Sequence, residues 1–240
     1  MQRSKLALAA GVVGAVGLFD PGFGAALAHF GVLEPMQGFS LFGLGLLSAL
    51  IGGLLGLGAL YTTRPAAQRG GRNLAFVGIA AAVVAIAIVS IGRQPGADAP
   101  PINDISTDLA DPPAFPSDPS GRDRDMALPA GFAEQIKATP SYRDLQPIRV
   151  ARPPAEVLRE AEQTARAIDW DNVASDSVAG IVTASQTTKL FRFVDDVVVR
   201  VRDDGTGGSL VDVRSKSRDG QGDIGANAAR IRRFFEVLPK

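Results

Sequence analysis

The sequence predicts an α+β soluble domain that follows three N-terminal transmembrane helices. Long apolar stretches fill the first 93 residues. Residues 146–240 instead change between the two-residue apolar period of strands and the 3.6-residue period of helices. Between these regions the chain is rich in Pro and Asp, which is typical of an extended segment. We therefore expect a membrane region over 1–93, a stalk and irregular lead-in over 94–145, and the soluble domain over 146–240.

The three predicted spans differ in regularity. Residues 41–61 and 74–92 contain no charged residue, and each has close to the roughly 20 residues that a helix needs to cross a bilayer. Residues 6–33 are interrupted by Asp20 and Pro21. This leaves open a kinked span, a short span with an interfacial tail, or a signal-like segment, and we expect it to be retained because no cleavage site follows it. We expect Asp20 to mark a helix end near the membrane interface.

The distribution of cations predicts the orientation in the membrane. Three arginines (Arg64, Arg69 and Arg72) lie between the second and third spans, whereas residues 25–40 contain no Lys or Arg. The positive-inside rule places the Arg-rich loop in the cytoplasm. The N-terminus is then cytoplasmic, and the C-terminal domain is periplasmic at a bacterial inner membrane.

Composition excludes several kinds of function. The chain has no cysteine, so disulfides, thiolate nucleophiles and Cys-ligated metals are excluded. The sole histidine, His29, precedes the soluble domain, which therefore lacks a histidine base or metal ligand. From residue 94 onward, 19 basic residues face 23 acidic ones, unlike the basic surface that nucleic acid requires. We predict no catalytic residue, metal, cofactor or nucleic-acid partner.

The soluble domain is predicted as a two-layer sandwich of about four antiparallel strands and two helices. Predicted strands cover 146–150, 177–187, 190–202 and 209–217, and predicted helices cover 154–168 and 222–238. In the third strand, the residues expected to face the core are Phe191, Phe193, Val197, Val199 and Val201, and those expected on a solvated polar face are Arg192, Asp196, Arg200 and Arg202. Residues 100–108 are predicted to be too broken for a helix or for strand pairing.

Three glycines before the last helix have dinucleotide-fingerprint spacing: Gly220, Gly222 and Gly225. Only 15 residues follow Gly225, so the second parallel strand of such a fold is missing and we reject that function. Two interpretations remain. Asp219 and Asp223 can cap the helix N-terminus, or the N-terminal amides can receive an anion or a lipid headgroup.

Polar residues near this turn form a candidate ligand-binding set. Its members are Arg214, Ser215, Arg218, Asn227 and Arg230. The alternative is structural, because polar residues beside a helix's core face often bind it to the sheet, and charges on a sheet face can pair across strands.

A small-residue motif marks the second span. Gly52 and Gly56 are four residues apart, with Ser48 at the same spacing, which allows another helix to approach closely. This motif predicts packing among the three spans, and the alternative is a homodimer through the Gly52/Gly56 face.

Three segments together resemble the bacterial and plastid family catalogued as domain of unknown function 1499. They are residues 101–108 with 112–115, residues 191–197, and residues 211–218 continuing through 223–227 to 230–234. The resemblance covers about residues 100–238. It implies N-terminal membrane spans and no defined catalytic residue.

These observations predict a non-enzymatic envelope protein whose soluble domain is an interaction or scaffold module. Its expected partners are the lipid bilayer and a membrane protein or second copy of itself. The alternative is a module that binds a lipid, small molecule or anion in a gap between the 154–168 helix and the sheet. A histidine-independent hydrolase is a third interpretation.

Overall fold

The computed structural model describes residues 2–67, 69–93, 98–116 and 128–240. It contains two compact units. The first comprises Met1–Gln94 with Lys189–Arg192, and the second comprises Pro95–Thr188 with Phe193–Lys240. Within the predicted stalk and lead-in, residues 94–97 and 117–127 lie outside the described residues.

The first unit contains three helices that are long and apolar enough to span a membrane. They are α1 (Lys5–His29), α2 (Pro35–Thr62) and α3 (Arg72–Arg93). The Ser4 hydroxyl accepts a hydrogen bond from the Ala7 amide at the start of α1, and Pro35 opens α2, where its missing N–H costs nothing. The prediction of three long apolar helices is therefore confirmed.

The interruption predicted at Asp20 is wrong. Helix α1 continues through Pro21 to His29, so Asp20 does not mark a helix end. Pro21 packs against α2, since a Cβ built on Gly45 would lie 2.5 Å from the proline ring. A proline is tolerated within an apolar helix when neighbouring helices support it.

Glycines allow the three helices to pack closely. A Cβ on Gly52 would lie 2.7 Å from the Cα of Gly14 in α1. One on Gly56 would contact the carbonyl oxygen of Ala75 in α3, and one on Gly78 would meet the carbonyls of both Ala10 and Gly52. The Gly52/Gly56 face therefore packs inside the bundle, and its use in a homodimer stays a prediction.

We expect Gly52→Leu to destabilise the bundle by about 1–3 kcal/mol, because the added side chain must enter a closely packed helix contact. Gly43→Leu is the matched control, since nothing lies within 4 Å of a Cβ at Gly43. Loss of helical circular dichroism during SDS titration of the full-length protein measures both. Equal effects would contradict this packing.

The second unit contains a six-stranded antiparallel sheet with helices. The fold class is confirmed, with six strands instead of about four. The strands are β1 (Asp104–Ser106), β2 (Ile148–Val150), β3 (Asp171–Asp176), β4 (Ile181–Thr187), β5 (Val194–Asp203) and β6 (Ser209–Ser217), in the order β1-β6-β5-β4-β3 with β2 also paired to β6. The helices are α4 (Phe132–Ala138), α5 (Pro154–Ala167) and α6 (Ala226–Val237).

Two predicted strands begin later than expected because turns precede them. The Asp176 carboxylate accepts hydrogen bonds from the amides of Val178 and Ala179, and this turn separates β3 from β4. Residues 177–180 are therefore not part of a strand. Strand β5 begins at Val194 instead of residue 190, because Arg192 has a φ of +61° in the preceding turn.

Helices α5 and α6 cover one face of the sheet, and their buried side chains pack against the side chains of that face. Val157, Leu158 and Ala161 of α5 belong to the same buried core as Val197 and Val199 of β5. Close packing of this kind leaves few voids. Val197 and Val199 are therefore buried beneath α5, and the space that remains open lies farther along β5, between the N-terminal half of α5 and Val201. Phe191, which was expected to face this core, belongs to the first unit.

The other face of the sheet is covered by residues 98–116. These residues belong to the region predicted as a stalk, and we call them the lead-in segment. The prediction that this region cannot pair as a strand is wrong at 104–106, where β1 pairs with residues 214–216 of β6. The Ser217 amide donates to the Asn103 carbonyl at 2.8 Å and extends the pairing. Because this segment covers it, the polar face is not solvated as predicted, and Val198 on it is fully buried.

Candidate functional site

The five predicted ligand-binding residues lie on two faces of the sheet. Residues directly opposite each other in antiparallel strands share a face, and successive residues point to opposite faces. Ser215 pairs with Val197, which packs beneath α5 and α6, whereas Arg214 pairs with Val198 under the lead-in segment. The predicted residues therefore do not form one pocket.

Three of the predicted residues converge beneath α6. We call Ser215, Asn227 and Arg230, with Asp195 and Gln186, the helix-side cluster. The Ser215 hydroxyl donates to Asn227 Oδ1 at 2.7 Å and accepts from Arg230 Nη1 at 2.9 Å. Arg230 also donates to Asn227 Oδ1, to Gln186 Oε1 at 2.6 Å and to the Asp195 carboxylate. All three guanidinium nitrogens of Arg230 are thus engaged within the domain.

The Asn227 amide connects this cluster to the lead-in segment. Its Nδ2 donates to the Asn103 carbonyl and to the Ser217 hydroxyl, each at 3.1 Å. Asn227 is fully buried. A buried amide with partners on two other segments fixes their relative positions, because each lost hydrogen bond would leave a desolvated polar atom.

The N-terminus of α6 is occupied by a carboxylate of the chain itself. Asp223 accepts hydrogen bonds from the amides of Gly225 and Asn227 at 2.9 and 2.7 Å. Burial raises the pKa of Asp223, while these two amides act in the opposite direction. Asp223 provides the capping contact that the sequence suggested, so a ligand anion at these amides would have to displace it.

The other two predicted residues form ion pairs on the opposite face. Arg214 is fully buried and donates to both carboxylate oxygens of Asp104, at 2.9 and 2.7 Å. It also donates to the Pro113 carbonyl at 3.2 Å and lies over the Phe115 ring. Arg218 forms a bidentate ion pair with Asp196, donating to its two carboxylate oxygens at 2.9 and 2.8 Å.

A second group of charges on this face surrounds a buried aspartate. Asp212 has no exposed side-chain surface and pairs with Arg200 at 2.9 Å and Arg202 at 2.8 Å. The lead-in segment adds Asp108, which pairs with Arg202 at 3.0 Å, and Asp111, which pairs with Arg200 at 3.0 Å. Burial raises the pKa of Asp212, and the two arginines oppose that shift. The cross-strand charge pairs expected on this face are therefore present, and the lead-in segment extends them.

Sequence reasoning did not select the acidic partners in these clusters. Asp104 and Asp195 each complete a buried ion pair with a predicted arginine. The alternation of side chains along β5 could have indicated Asp195. It places this residue on the core face with Val197 and Val199, where a buried carboxylate requires a cation. No local pattern indicated Asp104, which lies 110 residues from its partner.

The ion pairs and hydrogen bonds of the predicted residues favour a structural role over ligand binding. Within the described part of the chain, no group of three or more His, Asp or Glu residues is placed to hold a metal ion. Each predicted arginine contacts a carboxylate of the same domain. A guanidinium already paired in this way offers little free charge to an incoming anion.

The structure defines a class of protein in which an α+β domain follows three potential membrane-spanning helices. The chain belongs to the family described as Protein of unknown function (DUF1499), whose model matches residues 104–238. This match confirms the resemblance found in the sequence. It begins at the first residue of β1 and ends just after α6, so the family unit includes the strand of the lead-in segment. None of the curated proteins compared with the chain matches it.

We expect Arg230→Met to lower the free energy of unfolding of the domain by about 3–5 kcal/mol, because Asp195 would remain buried without its cation. Urea unfolding of the full-length protein in detergent measures this loss. The signal is the fluorescence of Trp170, the sole tryptophan, whose ring stacks on Phe234 in the core.

Arg233→Met on the same helix is the matched control. Arg233 pairs with Glu236 on the surface, and such pairs contribute about 0–1 kcal/mol. The double replacement Asp195→Leu with Arg230→Met should recover much of the lost stability, since it removes both buried charges. An effect of Arg230→Met no larger than that of Arg233→Met would contradict the structural role.

Proposed function

We propose that this protein is a membrane-anchored, non-catalytic interaction or scaffold module. The observation that carries the proposal is that each of the five candidate polar residues contacts a partner within its own domain. The packing of α5 against Val197 and Val199 adds support, because these two valines of the predicted gap belong to one buried core with Val157, Leu158 and Ala161. Rigid surfaces formed by satisfied buried polar networks suit recognition of a partner better than chemistry.

The location that we propose is the bacterial inner membrane, with the second unit in the periplasm. Arg64 and Arg69 between α2 and α3, with Arg72 at the first position of α3, support a cytoplasmic loop there. The absence of cysteine agrees with an oxidising compartment, since no thiol needs protection.

The cysteine-free chain allows a direct test of this orientation. Ala66→Cys lies in the Arg-rich loop and Lys240→Cys at the C-terminus, and both positions are exposed. A membrane-impermeant maleimide should label Lys240→Cys in bacteria with a permeabilised outer membrane and an intact inner membrane. It should label Ala66→Cys only after lysis. The reverse pattern would overturn the periplasmic assignment.

The proposed partner is a membrane protein or a second copy of this chain. The Gly52/Gly56 face is engaged within its own bundle, so the surface of the α+β domain is the stronger candidate for such contacts. The alternative from the sequence, an anion bound by Arg214, Ser215, Arg218, Asn227 and Arg230, would require ligand to compete with internal ion pairs. A hydrolase would require these residues to converge in one cleft, whereas they are divided between two faces.

Native mass spectrometry of the full-length protein released from nanodiscs tests the function. We expect the mass of the chain alone, a multiple of it, or a complex with a second polypeptide. Arg218→Ala is the informative variant, because Arg218 is the most exposed of the five candidate residues, with 46% of its side chain accessible to solvent. A small-molecule mass that is present in the parent protein and lost in Arg218→Ala would contradict the proposal and favour the anion-binding alternative.

A further inference from the structure

A groove lies on the outside of the α+β domain, apart from both polar clusters. It runs between the N-terminal half of α5 and the turn that joins β3 to β4, and its volume is about 450 Å³. Small-molecule sites in proteins commonly measure about 300–1,000 Å³. The groove is thus large enough for a small ligand and lies toward the lower end of that range.

The floor of the groove is apolar. Pro154, Ala155 and Leu158 line it from α5, and Val201 lines it from β5. Gly180 also lines the groove, and its φ of +66° together with the 2.7 Å that would separate a Cβ from the Val201 carbonyl oxygen requires glycine at this position. An apolar floor of this kind is suited to an aliphatic chain.

Two charged residues, Arg159 and Glu162, lie at the edge of the groove, and only the charge of Glu162 is paired. Both Glu162 oxygens are engaged, one by Arg166 at 2.8 Å and the other by the Ser175 hydroxyl at 2.6 Å. Within the part of the chain that the structure describes, Arg159 donates only to the Ala155 carbonyl of its own helix, at 3.3 Å. Among the described residues, no carboxylate lies within ion-pair distance of Arg159. The groove therefore presents an available positive charge beside an apolar floor.

We propose that this groove binds a single-chain amphiphile with an anionic end. The aliphatic chain lies on the floor formed by Leu158 and Val201, and the anion contacts the Arg159 guanidinium. A guanidinium binds a carboxylate or phosphate through paired hydrogen bonds. The groove's modest volume suits one chain better than a two-tailed lipid. This site goes beyond the proposed interaction function and does not depend on it.

Methyl-resolved NMR of the full-length protein in zwitterionic nanodiscs tests the site. The probes are octanoate, octyl phosphate and octylammonium, which share one chain length and differ in the headgroup. Octanoate or octyl phosphate should shift the methyl signals of Leu158 and Val201 saturably and bind at least tenfold more tightly than octylammonium. The comparison of the two anions distinguishes a fatty carboxylate from a single-chain phosphate ester.

Three variants make the result specific. Arg159→Gln should weaken binding of the anion at least fivefold, and Ala155→Trp should abolish it by filling the groove from an exposed helix position. Arg143→Gln, an exposed arginine away from the groove, should leave binding unchanged. No saturable shift, equal binding of anion and cation, or binding that survives Ala155→Trp would each overturn the proposal. Native mass spectrometry of Arg218→Ala reports separately on the interaction module.

Discussion

The ion pair between Arg214 and Asp104 is the interaction on which the second face of the sheet depends. Both side chains are fully buried, and a buried guanidinium without its carboxylate would be strongly destabilising. Removing the lead-in segment would take away Asp104, the Pro113 carbonyl and the Phe115 ring together. The segment that was expected to act as a stalk is therefore, over residues 104–115, a structural layer of the domain, in agreement with the extent of the family match.

The fold could be predicted where a pattern repeats over many residues. Helix α5 shows a regular apolar stripe over 14 residues, and the helices of the first unit are marked by long uncharged runs. Strand β1 has only three residues, too few for any periodic signal, and its pairing depends on a distant strand. Strand β3 is polar and largely exposed at the sheet edge, so its composition resembles that of a loop.

For the candidate site, the sequence could predict which residues share a face of one helix or strand, but not their partners on other elements. Helical spacing places Asn227 and Arg230 on one stripe, and the structure brings them together. Alternation along β6 places Arg214 and Ser215 on opposite faces of the sheet, whereas their proximity in sequence had grouped them in one candidate pocket. Their partners follow from strand register, as with Asp195, or from the path of the lead-in segment, as with Asp104. Neither can be read from the local sequence, because both are set by contacts between distant parts of the chain.

The pairing of β1 with β6 also has a consequence for the order of folding. Asp104 pairs with Lys216 across more than a hundred residues, and contacts of such long sequence separation form late because the chain must close a large loop first. The hairpins of β3 to β6 can form locally, but the sheet cannot be completed until nearly the whole chain has been synthesised. Until the lead-in segment packs on the finished hairpins, Arg214 and Val198 lack their cover, so the folding chain exposes a surface that chaperones or neighbouring chains can reach.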